Sequence, residues 1–160
     1  MISKHYQSEV DRAIKIFLEA AHWGRETGKN LWSDADLTKE NLLKYYQPEE
    51  FYVVQIDDED ASAMVIQWED PLFWPEFKRN DAGYLHKLCI RRKFANMGLS
   101  DRMIELAKDE CRQKGISKLR LDTGWSNTSL RSLYERNGFE LYDRFYLGEE
   151  CSFARYEIAV

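Results

Sequence analysis

The sequence predicts a single α/β domain, spanning residues 1–160, with a mixed sheet flanked by helices. Three observations carry this. The chain of 160 residues is one domain's length and long enough to bury a real core. Its apolar residues switch between helical spacing and short β-branched or aromatic runs. Breaks at Gly, Pro and acidic clusters put the elements in the order α-α-β-β-β-α-β-α-β-β, with no repeats or internal linkers.

The segment from Ser8 to about Glu26 places Val10, Ile14, Phe17, Leu18 and Ala21 on one helical face. Thr27-Gly28-Lys29-Asn30 breaks it. Thr38 is a natural N-cap for a helix through Tyr45 and Tyr46, ended by Pro48. Phe51–Ile56 reads as a strand, Asp57-Asp58-Glu59-Asp60 as a solvated turn, and Ala63–Trp68 as the returning strand. Between Glu69 and Asp81 lies a loop with Phe73, Trp74 and Phe77, aromatics that suit a core, a substrate pocket or a homodimer contact. Tyr84–Ile90 is a strand. Gly98 to about Lys114 is a helix with Leu99, Met103, Leu106, Ala107 and Cys111 on one face, stopped by Gly115. Leu119–Asp122 is a short strand. Ser126 is the expected cap of a helix running to about Asn137, with Trp125 and Leu130 as its staple. Phe139–Leu147 and Cys151–Ile158 close as a hairpin around Gly148.

Composition excludes several classes. At 44% hydrophobic and 32% charged residues the chain is globular rather than disordered. No run reaches the length of a membrane span, and Met1-Ile2-Ser3-Lys4 opens no signal-peptide apolar stretch, so the expectation is a cytoplasmic protein without a membrane partner. Cys89, Cys111 and Cys151 are odd in number and widely spaced; they read as reduced residues, with no metal-ligand spacing. Residues 1–80 hold 9 Lys+Arg against 16 Asp+Glu, and residues 81–160 hold 14 against 12. No basic stripe with interleaved aromatics appears, which argues against nucleic-acid binding.

The chemistry concentrates between residues 88 and 139. Leu88-Cys89-Ile90 ends a strand, Arg91-Arg92-Lys93 is a basic turn, and Ala95-Asn96-Met97-Gly98-Leu99-Ser100 opens a helix. A helix N-terminus directly after a strand and tight loop offers unpaired amides and a positive dipole end, which suits a phosphate group. The later run Asn127 to Phe139 presents Asn127, Leu133-Tyr134 and Gly138-Phe139.

Together these motifs resemble the GNAT superfamily of acyl-CoA-dependent N-acetyltransferases, over residues 84–147. The family's pyrophosphate loop usually reads Arg or Gln, x, x, Gly, x, Gly or Ala. Here Gly98 matches, Ala95 stands at the Arg/Gln position, Ser100 replaces the last small residue, and Asn96 stands where a further Gly is common. Arg91, Arg92 or Lys93 are candidates to replace the lost charge. The resemblance implies a mostly antiparallel mixed sheet with splayed central strands, and acetyl-CoA as cosubstrate. It implies that the backbone of Leu88 and Ile90 binds the pantetheine arm, that residues Ala95, Asn96, Met97, Gly98, Leu99 and Ser100 hold the pyrophosphate, and that Asn127 contacts the cofactor. Tyr134 would stand near the sulfur and protonate the departing thiolate. Transfer by direct attack of an amine needs a base. His86, four residues before Ile90 and on its strand parity, is the best candidate, with Glu69, Asp70 and Asp122 behind it. His5 and His22 receive no role. The acceptor expected is a small-molecule amine, walled by the N-terminal helices and the 69–81 loop, with Trp23, Trp32, Trp68 and Trp74 as candidates. The other class compatible with the altered loop is a CoA-binding or sensing module without activity.

Overall fold

The structure, a computed structural model, describes residues 3–29 and 31–160; Met1, Ile2 and Asn30, which enter the sequence readings of the N-terminus and of the first break, lie outside the described residues. Among the described residues seven strands of a mixed sheet and four α-helices form: β1 (Ser3–Gln7), α1 (Val10–Glu26), α2 (Lys39–Leu42), β2 (Phe51–Ile56), β3 (Glu59–Gln67), β4 (Gly83–Ile90), α3 (Leu99–Gln113), β5 (Lys118–Gly124), α4 (Thr128–Arg136), β6 (Glu140–Leu147) and β7 (Cys151–Ala159). The α/β class and the mixed sheet are as expected. The chain forms two compact units, one of residues up to Ile66 with Lys87–Met103, the other of Gln67–His86 with Ile104–Val160.

In the first unit β1, β2 and β3 form an antiparallel meander. The strand β1 is absent from the sequence reading. Ser-Lys-His-Tyr-Gln has no apolar alternation; its partner supplies the order, through pairs from Ser3–Ile56 to Gln7–Tyr52. The β2–β3 turn is shorter than expected. Asp57 (φ 48°) and Asp58 (φ 66°) make a two-residue hairpin loop, a conformation that short polar side chains accept, so Glu59 and Asp60 already pair in the ladder. They are not merely solvated. The Arg12 guanidinium grips Asp60 at 2.6 and 3.0 Å, and Arg91 donates to Glu19, to Glu59 and to the Asp60 carbonyl. Helix α1 buries Val10, Ala13, Ile16, Phe17 and Ala21 into a core with Phe51, Val53, Val65 and Cys89, while Ile14 and Leu18 sit at its margin. Thr38 caps α2 by accepting the Asn41 amide at 3.2 Å, but α2 ends at Leu42, short of Tyr45.

In the second unit β5, β7 and β6 pair antiparallel, and β4 pairs parallel with β5 at Gly83–Leu119 and Tyr84–Arg120. Of the aromatics in the 69–81 loop, Trp74 takes the core reading, while Phe73 and Phe77 are half-buried against it. Trp74 is 0% exposed and packs against Phe77, Tyr84 and Tyr142. Arg155, 3% exposed, locks the loop down through both oxygens of Glu76, the Phe73 carbonyl and Asp143. Asn127, not Ser126, caps α4: its Oδ1 accepts the Leu130 amide at 3.2 Å. Trp125 is stacked by two guanidinium groups, Arg131 at 4.1 Å and Arg144 at 4.5 Å from its ring centre.

These ion pairs make acid stability a test. Hydrogen bonding from Arg12 holds the Asp60 carboxyl below its ordinary 3.8, and Arg155 holds that of Glu76 below 4.5. A depressed folded-state pKa stabilises fully above the ordinary value, and that contribution is lost as pH falls through the folded one. The melting temperature should therefore drop below about pH 4.5. Arg12→Met should flatten part of that slope; an unchanged slope would remove Asp60 from the account.

Candidate active site

The first unit holds the loop from which phosphate binding is expected. After Ile90 the chain makes a 3₁₀ turn over Arg92–Phe94, then takes a left-handed conformation twice, at Asn96 (φ 63°) and Gly98 (φ 75°), before α3 begins. Asn accepts this region more readily than most residues. At Gly98 the constraint is the backbone alone, because an added Cβ would meet nothing within 4 Å. The first intrahelical bond runs from the Arg102 amide to the Gly98 carbonyl at 3.2 Å, so the helix starts directly at this loop. Asn96, Met97 and Gly98 are exposed, Ala95 and Ser100 half-buried, and Leu99 is buried as the anchor. The basic turn lends less charge than its sequence suggests. Arg91 is spent on Glu19 and Glu59, Lys93 pairs with Glu59 at 2.7 Å, and the Arg92 guanidinium lies 4.2 Å from the Trp23 ring centre.

Leu88 and Ile90 are half-buried on β4. Between His86 and Leu88 stands Lys87 with φ 53°, which interrupts the strand's alternation. Parity counted from the sequence therefore does not carry from His86 to Leu88 and Ile90. Lys87 Nζ lies 4.4 Å from the Trp32 ring centre. A cleft of about 380 Å³ opens beside them, with Asn41, Tyr45 and Tyr46 in its lining. Of the four tryptophans expected as walls, Trp32 lines this cleft and Trp23 a second one of about 510 Å³. Trp68 and Trp74 are buried in their own unit.

The second unit holds His86, Asn127 and Tyr134. Tyr134 is 7% exposed, and its ring meets Phe139 edge-on at 5.7 Å, so the side chain is fixed rather than swinging on the surface. The chain leaves α4 through Gly138 at φ 89°. Asn127 spends its carbonyl oxygen on the cap and keeps its amide nitrogen. His86 is brought together with two residues ranked behind it in the sequence: ligand-type atoms of Asp70, His86 and Asp122 all lie within 4.8 Å of one another. Glu69 is not among them; it pairs with Arg79 at 3.2 Å.

Burial raises the thiol pKa of Cys89 to about 12 and that of Cys111 to about 11, so neither supplies a ready thiolate near neutrality. No helix among the described residues is long and apolar enough to cross a membrane.

Comparison with known proteins gives the family and the fold. Residues 17–139 match the model of the Acetyltransferase (GNAT) family. The chain is 26% identical over 132 residues to an uncharacterized N-acetyltransferase, YesJ, of Bacillus subtilis, covering 78% of this chain and 73% of that one. It shares its fold with a GNAT-family acetyltransferase from Listeria monocytogenes (TM-score 0.70, 23% identity, 99% of this chain and 94% of that one). It shares it equally with the PaiA N-acetyltransferase of Thermoplasma acidophilum, solved with coenzyme A (TM-score 0.72, 16% identity, all of both chains). A left-handed loop opening a long helix, a fixed tyrosine on the helix before Gly138 and a family match over most of the sequence lead to one conclusion: the chain belongs to the GNAT family and is an acetyl-CoA-dependent acyltransferase.

Proposed function

We propose that residues 1–160 act as one domain that acetylates the amine of a small molecule by direct attack on acetyl-CoA. The observation that carries the cofactor assignment is the pair of left-handed residues, Asn96 and Gly98, that delivers the chain to α3. In this reading the loop from Ala95 to Ser100 takes the pyrophosphate on backbone amides, and the backbone of Leu88 and Ile90 takes the pantetheine arm. The amide nitrogen of Asn127 contacts the cofactor. The amine nitrogen attacks the thioester carbonyl and passes its proton to His86, directly or through water. The carbon–sulfur bond then breaks, its electron pair goes to sulfur, and the Tyr134 hydroxyl protonates the thiolate. The raised pKa of Cys89 supports a route without an acetylated cysteine.

A cleft of about 380 Å³ is on the scale of a small-molecule site, and the aromatic faces of Trp32, Tyr45 and Tyr46 suit an organic amine. The test is calorimetric titration with acetyl-CoA and CoA, then thiol release over a panel of small amines and of peptides with free N-termini. Release with small amines is expected. Release with peptides alone would overturn the acceptor class, and binding without any release would favour the sensing module.

A further inference from the structure

We propose that Asp70 is a positioning residue for His86: it holds the imidazole in place and favours the imidazolium that forms when His86 takes the amine's proton. This rests on the base role given to His86 above. Asp70 is 5% exposed, and its Oδ2 lies 3.5 Å from Nε2 of His86, itself 13% exposed. The two oxygens of Asp70 face different partners. Oδ1 accepts the Phe73 amide at 3.0 Å, and the Asp70 carbonyl accepts the Trp74 amide at 2.9 Å, so the carboxylate is clamped at the mouth of a turn whose other end is the buried Trp74. Oδ2 is buried and has no hydrogen-bond donor in alignment, an expensive state for a carboxylate that a cation at His86 relieves.

The charges around the imidazole favour the same outcome. Asp122 of β5 completes the group within 4.8 Å. Arg155 of β7 is Asp122's register partner, yet its guanidinium is already committed to Glu76 and Asp143. Tyr84, two residues before His86, hydrogen-bonds Arg120, and its hydroxyl pKa is raised chiefly by burial. Two carboxylates beside one imidazole stabilise its protonated form, which is the product of the proton transfer. The step balances without a further reactant: the proton leaves the attacking nitrogen and resides on His86 until solvent takes it.

The test is Asp70→Asn beside His86→Ala, with kcat measured against pH at saturating acetyl-CoA and one amine. Asn keeps an oxygen to accept the Phe73 amide, so the turn should survive; an unchanged melting temperature checks that. In the wild type, activity falls as pH drops through the protonation of His86. Asp70→Asn should move that acid limb down by about one pH unit, lower kcat on the order of tenfold, and leave KM for acetyl-CoA unchanged. An unshifted limb in Asp70→Asn, with the limb lost in His86→Ala, would overturn the role of Asp70 alone. A limb that persists in His86→Ala would overturn the base reading and this proposal with it. Activity abolished by exhaustive EDTA dialysis and restored by a divalent cation would also overturn it, making the three side chains metal ligands.

Discussion

Tyr134→Phe should lower turnover by about 10²–10⁴-fold, the usual scale for removing a general acid. The substitution deletes one hydroxyl and almost no volume. The ring stays buried against Phe139, so fold and cofactor affinity should hold. The loss should shrink for an acyl-thioester whose thiol is more acidic, because a better leaving group needs less help from a proton donor. Full activity in the variant would leave Tyr134 as a packing residue.

Gly98→Glu should abolish acetyl-CoA binding. Two effects act there and can be separated. Any L side chain at φ 75° pays about 1–2 kcal/mol for the left-handed conformation, and Gly98→Ala carries that cost alone. Glu adds a negative charge where a phosphate is expected, at a helix start that favours anions. The expected order of acetyl-CoA affinity is therefore wild type, then Gly98→Ala, then Gly98→Glu with no measurable binding. Equal affinity in all three would remove the pyrophosphate from this loop.

Much of the fold was legible because local chemistry decided it. The strand Phe51–Ile56 was read to the residue, and the helix ends at Gly115 and Gly138 and the hairpin turn at Gly148 all have positive φ. What was missed depended on partners distant in sequence. The polar strand β1 is ordered by the backbone of β2, which no periodicity in Ser-Lys-His-Tyr-Gln reveals. The aromatics of the 69–81 loop suit a core, a pocket or a dimer contact by sequence, and what holds Phe73 and Glu76 beside the buried Trp74 is Arg155, far along the chain. Ser126 and Asn127 are equally good caps by type, and only geometry chose Asn127.

The site divides the same way. The loop from Ala95 to Ser100 could be read because glycine and asparagine announce left-handed backbone. Lys87 gives no such signal: a long side chain at φ 53° is unusual, and strand parity counted through it misleads. His86 stood out as a titratable strand residue, but its pairing with Asp70 spans a loop and part of a strand. Asp70 and Asp122 entered the sequence reading only as weaker bases, and the structure makes them neighbours of the histidine instead.

Direct attack predicts that amine and acetyl-CoA must be bound together when the acyl group moves. Initial rates over a matrix of both concentrations, with the best amine from the thiol-release panel, test this most directly. Intersecting double-reciprocal lines, with the intact protein keeping its unmodified mass after incubation with acetyl-CoA alone, is the predicted result. Parallel lines with an acetylated protein, on Cys89 or any other residue, would contradict it.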